Sequence, residues 1–477
     1  MTGISETYDT QIEKQNWKPW LEVTAKRKHD AVFQALARDI ESGILSAGDR
    51  LPPQRYVADV LGLNLSTVNK AYRAAQASGL VVATIGRGTF VSANTLPPGE
   101  PDLDSAAFFD LSINSPPSLA TANLLDLISL STREGASNPA AYRDTLNYSP
   151  RRGNPADTLA GAAFLGAILR DAPEQRVCVL AGAQAALYAV LRIVCATNRV
   201  IAAPVVTYPG LLRIARQAAL QVIPVDVDQY GLEPASFEDA CIRHRPAALY
   251  VSPSADNPTT IYLDDARRAA VVRIARMYGV SIIEDDPYKM LVGDQSPSFA
   301  DLYPESTWHI STLSKILSPA LRLAYVLAPS EEQADLLGTM SQAVMMMASP
   351  ILAAVASNWI KSGKLRGLAT AMAEENAMRN HLAAQAFSGL DFSYSTNVPH
   401  FWLRLPPAWS AHDFAMELER HRVRVLPASS FSVSEHDLGA VRLSLGAARN
   451  VDELGNVLRI VKSVASQPGP KRVFALV

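Results

Sequence analysis

Apolar positions near the start of the chain recur at helical spacing. In "DAVFQALARDIESGIL", Val32, Leu36 and Ile40 fall on one face, which predicts an amphipathic helix. "GDRLPPQRYVADVLG" reads as a turn and then a short helix, opened by prolines and closed by Gly62. A further helix follows in "LNLSTVNKAYRAAQASGL", with Asn64 as its N-cap. Val68, Ala71, Tyr72 and Ala75 face inward there, and Thr67, Asn69, Lys70 and Arg73 face outward. "VVATIGRGTFV" alternates on both sides of Gly-Arg-Gly, a hairpin signal with a cation at its tip. Together these elements predict a winged helix over residues 20–91. Its last helix would enter the major groove of DNA, and Arg87 would sit near the backbone or minor groove. A small helical domain with an ordinary solvated face is the competing reading.

Beyond this the pattern changes. "SANTLPPGEPDLDS" has the Pro, Ser and Asp content of a linker, placed at residues 92–112. From residue 113 to about 470, short apolar runs ("RVIAAPVV", "PAALYVSP", "GVSIIEDD") alternate with helical patterns such as "DARRAAVVRIARMYG". That alternation predicts parallel βαβ units and an α/β fold. Residues 336–360 carry no charge and are long enough to span a bilayer, but central Pro350 and the polar residues favour buried helices around a break.

Composition sharpens the division. The chain has 477 residues, 48% hydrophobic and 19% charged, enough to bury large cores. Net charge is -2, yet residues 26–91 hold nine Lys/Arg against five Asp/Glu, so the N-terminal part alone is basic. Cys178, Cys195 and Cys241 have neither metal spacing nor an even-numbered disulfide framework. With no apolar signal core in the first residues, this fits a reducing, cytoplasmic setting.

"STLSKILSPALRLAYV" places Lys315 in an apolar run, with Thr312 and Arg322 nearby. Lys315 either snorkels to water or is a desolvated nucleophile able to form a Schiff base with an aldehyde cofactor. A pyridoxal phosphate site needs further groups at strand ends. "GVSIIEDDPY" offers Asp285 for a pyridinium and Tyr288 for a phenolate oxygen, and is otherwise a solvated acidic loop. "LYVSPSADNPTT" offers Asn257, "VVTYPG" a stacking face in Tyr208, and "VCVLAGAQAALYAVL" a helix N-terminus for phosphate.

Two resemblances connect these signals. Residues 42–91 resemble the DNA-binding domain of the GntR family, which implies DNA contacts from Arg55, Ser66, Thr67, Asn69, Lys70, Arg73 and Arg87. Leu65 stands near the second position of the helix, where family members often carry Arg. "AGAQAAL … TYPG … DNPT … EDDPY … STLSKILSPALRLAYV" resembles the fold-type-I aminotransferases, with their large and small subdomains. The resemblance implies pyridoxal 5'-phosphate as an internal aldimine on Lys315, with Asp285 on the pyridine. It puts Asn257 and Tyr288 on the phenolate, Tyr208 against the ring, and Ala183, Gln184, Thr312 and Arg322 on the phosphate. Arg442 in "AVRLSLG" would bind an effector carboxylate. Tyr148 would reach the cofactor phosphate of the partner subunit in a head-to-tail homodimer. Departures stand at Thr260, where Asn-Pro-Thr-Gly ends in Gly in the family, at Pro204 and Val206, and at Leu159-Ala160 after Gly153.

Joined, the halves resemble the MocR subfamily of GntR-family transcriptional regulators. The expected function is a regulator that binds promoter DNA and senses an amino acid, an amine or pyridoxal phosphate itself by aldimine exchange at Lys315. The alternative is an active aminotransferase with secondary DNA binding.

Overall fold

The computed structural model describes residues 17, 19–20, 28–41, 44–46, 48–77, 80–84, 88–91, 108–119, 124–136, 145–434 and 438–469. The chain divides into two compact units, Met1–Ala106 and Ala107–Val477.

In the first unit, α1 (Lys28–Glu41) buries Val32, Leu36 and Ile40, as their spacing requires. α2 (Gln54–Leu61) starts after Pro53 and stops at Gly62. The Thr67 N–H bonds to the Asn64 carbonyl at 2.9 Å, so Asn64 begins α3 (Leu65–Ala77). Val68, Ala71, Tyr72 and Ala75 are buried, and the Tyr72 hydroxyl donates to the Pro52 carbonyl at 3.1 Å. β1 (Val81–Thr84) pairs antiparallel with β2 (Gly88–Val91), Val81 opposite Val91. Arg50 forms an isolated antiparallel bridge to Phe90, and Leu51 N–H bonds to Thr89 O at 2.8 Å, which ties the segment before α2 to the edge of the wing. Trp17 closes the core, its indole N–H donating to Asp39 Oδ2 at 2.9 Å. The apolar pattern pointed to neither of these last two features.

The second unit is built on a seven-stranded sheet. Its strands are β3 (Val177–Leu180), β4 (Val200–Pro204), β5 (Gln221–Val225), β6 (Ala248–Val251), β7 (Ser281–Asp285), β8 (Thr307–Thr312) and β9 (Ala324–Leu327). The spatial order is β3-β9-β8-β7-β6-β4-β5. Apolar side chains fill β3, β6 and β9 on both faces because helices cover the sheet on both sides.

The sheet is mixed, not wholly parallel as the alternation predicts: β9 runs antiparallel to both β8 and β3. The reason is the connection. A parallel return needs about a dozen residues, usually with a helix, whereas residues 313–323 contain only the short turn Pro319–Leu321. That short return holds Lys315 at the C-terminal edge of the sheet.

A smaller sheet contains β10 (Asp391–Tyr394), β11 (His400–Arg404), β12 (Leu426–Pro427) and β13 (Ala440–Ser444), in the order β10-β11-β13-β12. Residues 108–112 correct the expected linker boundary. Phe109–Asp110 pairs parallel with Val423–Arg424, and Ser444 N–H bonds to Leu111 O at 2.8 Å. Backbone hydrogen bonds to an open strand edge outweigh the Pro/Ser/Asp composition just upstream. The uncharged segment 336–360 falls across two helices, Glu331–Met345 and Pro350–Lys361, with Met346 at φ 63° in the break. Among the described residues no helix is long and apolar enough to cross a membrane. The three cysteines are free and buried.

Candidate cofactor and effector site

β6, β7 and β8 run in the same direction, so the loops after them meet at one edge. They line a cavity of about 470 Å³. β7 delivers Asp285 and then Tyr288, and the loop after β6 delivers Asn257. β8 delivers Thr312 and Lys315, and Arg322 comes from the return to β9. Ala183 and Gln184 open the helix Ala183–Val194, and Tyr208 precedes the helix Pro209–Gln217. Arg442 enters from β13 of the smaller sheet.

The charged groups are tuned by enclosure. Burial pushes the Lys315 ammonium down to about 8; the Arg442 cation adds to this and Asp285 opposes it. Burial pushes the Asp285 carboxyl up to about 6, opposed by a hydrogen bond from the Tyr250 hydroxyl at 2.9 Å. That bond reaches Oδ2. Oδ1 is buried and has no partner among the described residues. Arg442, 3% exposed, is lowered by burial to about 10. Its Nη1 donates to Asn257 Oδ1 at 3.1 Å and its Nη2 to Ser112 O. Its Nε is buried without an acceptor among the described residues.

At the opposite end lies an anion cradle. Gly182, at φ 93°, turns the chain into the helix Ala183–Val194. A Cβ at Gly182 would lie 3.5 Å from the Arg322 guanidinium carbon. Helix N–H groups and a guanidinium therefore converge, a donor set suited to a phosphate. The Tyr208 hydroxyl donates to Gln184 Oε1 at 2.9 Å, and Gln184 Nε2 donates to Gly210 O at 3.2 Å, which leaves Gln184 its backbone N–H for an anion. Thr312 Oγ1 donates to Leu323 O at 2.7 Å.

Tyr148 is not part of this cluster: it is 79% exposed and does not line the cavity of its own chain. In the first unit Arg55, Ser66, Lys70 and Arg73 are exposed, while Thr67 and Asn69 are half-buried. Arg87 lies outside the described residues. Thr260 takes φ 63°, the left-handed conformation that explains why glycine suits this position.

Residues 107–461 match the family of class I and II aminotransferases, and residues 28–91 match the bacterial regulatory proteins of the gntR family. YdeF of Bacillus subtilis, an uncharacterized HTH-type transcriptional regulator, is 30% identical over 94% of this chain and 96% of its own. The chain belongs to the MocR-type regulators. Like the others it joins a GntR helix-turn-helix to an aminotransferase-like domain. Another MocR-type relative is PdxR of Corynebacterium glutamicum, an HTH-type pyridoxine biosynthesis transcriptional regulator. It is 29% identical over 70% of this chain and 73% of its own. Among solved structures, the α-aminoadipate aminotransferase LysN of Thermus thermophilus superposes with a TM-score of 0.68. It is 20% identical and covers 75% of this chain and 92% of LysN, a likeness of fold.

Sequence reasoning on this MocR-type chain passed over Tyr250, Ser112 and Asn114. Tyr250 reads as one more apolar position of β6, and Ser112 acts through its backbone carbonyl, which no side-chain pattern encodes. Asn114 fell just past the presumed linker.

Proposed function

We propose that this protein is a pyridoxal 5'-phosphate-dependent transcription regulator whose aminotransferase-like domain senses an amino acid, an amine or the cofactor itself. The observation that carries the reading is that Lys315, Asp285, Gly182 and Arg322 line one cavity, Asp285 with an oxygen that has no partner among the described residues, in a chain that also bears a GntR helix-turn-helix. These residues fit the cofactor: an acceptor for a protonated ring nitrogen, an amine for an aldehyde, and donors for a phosphate. PdxR is tied by its name to pyridoxine biosynthesis, and the LysN structure contains a phosphopyridoxyl-leucine, which supports the same reading.

Bound pyridoxal phosphate supplies an aldehyde that condenses with primary amines and a ring that withdraws electrons. Lys315, about half uncharged at pH 8, would present its lone pair to that aldehyde. Asp285, steadied by Tyr250, holds the proton on the ring nitrogen. Asn257 and Tyr288 would hold the phenolate oxygen, and Tyr208 would pack against the ring. Ala183 and Gln184 N–H groups, Thr312 and Arg322 hold the phosphate, joined by Tyr148 of a second copy in a head-to-tail homodimer. Arg442 takes the effector's carboxylate. A ligand that engages Lys315 and Arg442 unequally in two conformations shifts their populations, and two DNA readers then fit promoter half-sites differently. Arg55, Ser66, Thr67, Asn69, Lys70, Arg73 and Arg87 are the proposed DNA contacts, in the cytoplasm.

The test is an absorbance titration of B6-supplemented protein against amino acids and amines, with and without a promoter fragment. Borohydride reduction should leave a pyridoxyl group on Lys315 in peptide mass maps; its absence overturns the reading. Since Asp285, Tyr288, Asn257 and Lys315 share the cavity, turnover is the second reading. Sustained keto-acid production would establish it, and a spectrum that shifts once and stops would exclude it.

A further inference from the structure

The first described run after residues 92–107 is a strap, residues 108–119, whose Ser112–Ser115 line the cavity. On one side it is fastened to the smaller sheet. Ser444 N–H bonds to Leu111 O at 2.8 Å, and Ser115 N–H bonds to Ser444 Oγ at 3.2 Å. On the other side it holds the groups assigned above to cofactor and effector. Asn114 Nδ2 donates to the Tyr288 hydroxyl at 2.7 Å, Lys315 Nζ donates to Asn114 O, and Arg442 Nη2 donates to Ser112 O. The strap is thus bonded at once to both sheets' site residues, and the chain continues from it back through residues 92–107 to the hairpin at residue 91.

The chemistry of Arg442 makes this contact selective. A guanidinium meets a carboxylate with two parallel N–H groups. One matching edge is Nε with Nη2 and the other is Nη1 with Nη2, so both draw on Nη2. Nη1 is engaged by Asn257 and Nη2 by the Ser112 carbonyl, while Nε is buried with no acceptor among the described residues. An enclosed donor without an acceptor is costly and points to a ligand atom that satisfies it. The Nε–Nη2 edge is therefore the seat for a carboxylate, and the Ser112 carbonyl is its competitor.

Resting on the pyridoxal phosphate reading, we propose that the strap Ser112–Asn114 is the specificity-determining element of the effector site. A carboxylate-bearing amine displaces the Ser112 carbonyl from Arg442 and loosens the strap. An amine without a carboxylate occupies the cofactor end and leaves the strap fastened. Discrimination between these two classes is then set by a backbone group at the end of the segment that leads to the DNA-binding domain.

Aminooxyacetate and methoxyamine test this on the full-length holo-protein. Both react with the aldehyde of bound pyridoxal phosphate, but only the first carries a carboxylate. Absorbance reports reaction, and hydrogen exchange of the 108–119 peptide reports the strap. Aminooxyacetate should accelerate exchange at Leu111 to Ser115 about tenfold, the loss of one hydrogen bond to a charged group; methoxyamine, which like aminooxyacetate frees the Lys315 amine to bond Asn114 O, should not accelerate it. In Arg442→Lys, which lacks the fork, the two reagents should act alike. Equal strap exchange with both reagents in the unaltered protein, while absorbance shifts with both, overturns the proposal and leaves the cofactor reading intact. No absorbance shift with either reagent overturns both.

Discussion

The Tyr250 hydroxyl donates to Asp285 Oδ2 at 2.9 Å and leaves Oδ1 of the same carboxylate buried with no partner among the described residues. A buried carboxylate with one satisfied oxygen has a fixed plane, so its second oxygen is aimed before any ligand arrives. The same bond opposes the upward push of burial on Asp285 and favours the charged form that a ring N–H needs.

Tyr250→Phe removes that bond and little else. Pyridoxal phosphate affinity, measured by equilibrium dialysis, should fall by about tenfold, the scale of one hydrogen bond to a charged group. Unchanged affinity would show that packing alone orients Asp285.

Lys315 is held near 8, chiefly by burial and next by the Arg442 cation. The uncharged fraction of its amine rises with pH through that value. The rate of pyridoxal phosphate uptake by apo-protein should therefore rise between roughly pH 7 and 9 and then level, well below the usual lysine range. Stopped-flow absorbance at a series of pH values checks this. A rate still climbing above pH 10 would contradict it.

His400 packs on Tyr288 at 5.4 Å between ring centres, and its Nε2 lies 3.0 Å from Asp256 O. Burial first, and the Arg442 cation second, lower it to about 3. A folded value below the unfolded 6.5 means the neutral form is favoured by folding. Its contribution is complete above about pH 6.5 and is lost as pH falls toward 3. Urea denaturation from pH 7.5 to 5 should show falling stability in the natural chain and a flatter profile in His400→Gln.

Thr260 is β-branched and sits at φ 63°, held by Thr260 N–H to Asp256 O at 2.8 Å. Left-handed backbone costs a non-glycine residue about 1–2 kcal/mol, partly offset by the greater flexibility of unfolded glycine. Thr260→Gly should raise stability by about 1 kcal/mol in thermal denaturation. A loss would mean that the Thr260 hydroxyl bond to Thr259 O outweighs the backbone strain.

Arg73 is exposed on α3 beside exposed Lys70. Arg73→Ala should weaken DNA binding and reduce the slope of log affinity against log salt by about one. Fluorescence anisotropy on a duplex selected from a random pool measures both. An unaltered slope would remove Arg73 from the phosphate contacts.

Much of this was legible from one-dimensional pattern. Val32, Leu36 and Ile40, or Val68, Ala71 and Tyr72, announce their helices because burial follows the 3.6-residue period. Lys315, Asp285 and Asn257 stood out because their side chains follow or interrupt apolar runs, whereas Arg442, in the middle of its strand, was pointed to only by the resemblance to aminotransferases. What the sequence determined by itself was therefore the two-part organisation, most of the elements and the candidate residues of the site. Tertiary structure alone decided the rest. The reversed direction of β9 depends on the length of a connection. The Tyr250–Asp285 bond joins neighbouring strands whose pairing is nonlocal. The Ser112 carbonyl at Arg442 is backbone chemistry, the same at every residue until folding brings one particular peptide group to one particular guanidinium, 330 residues away along the chain.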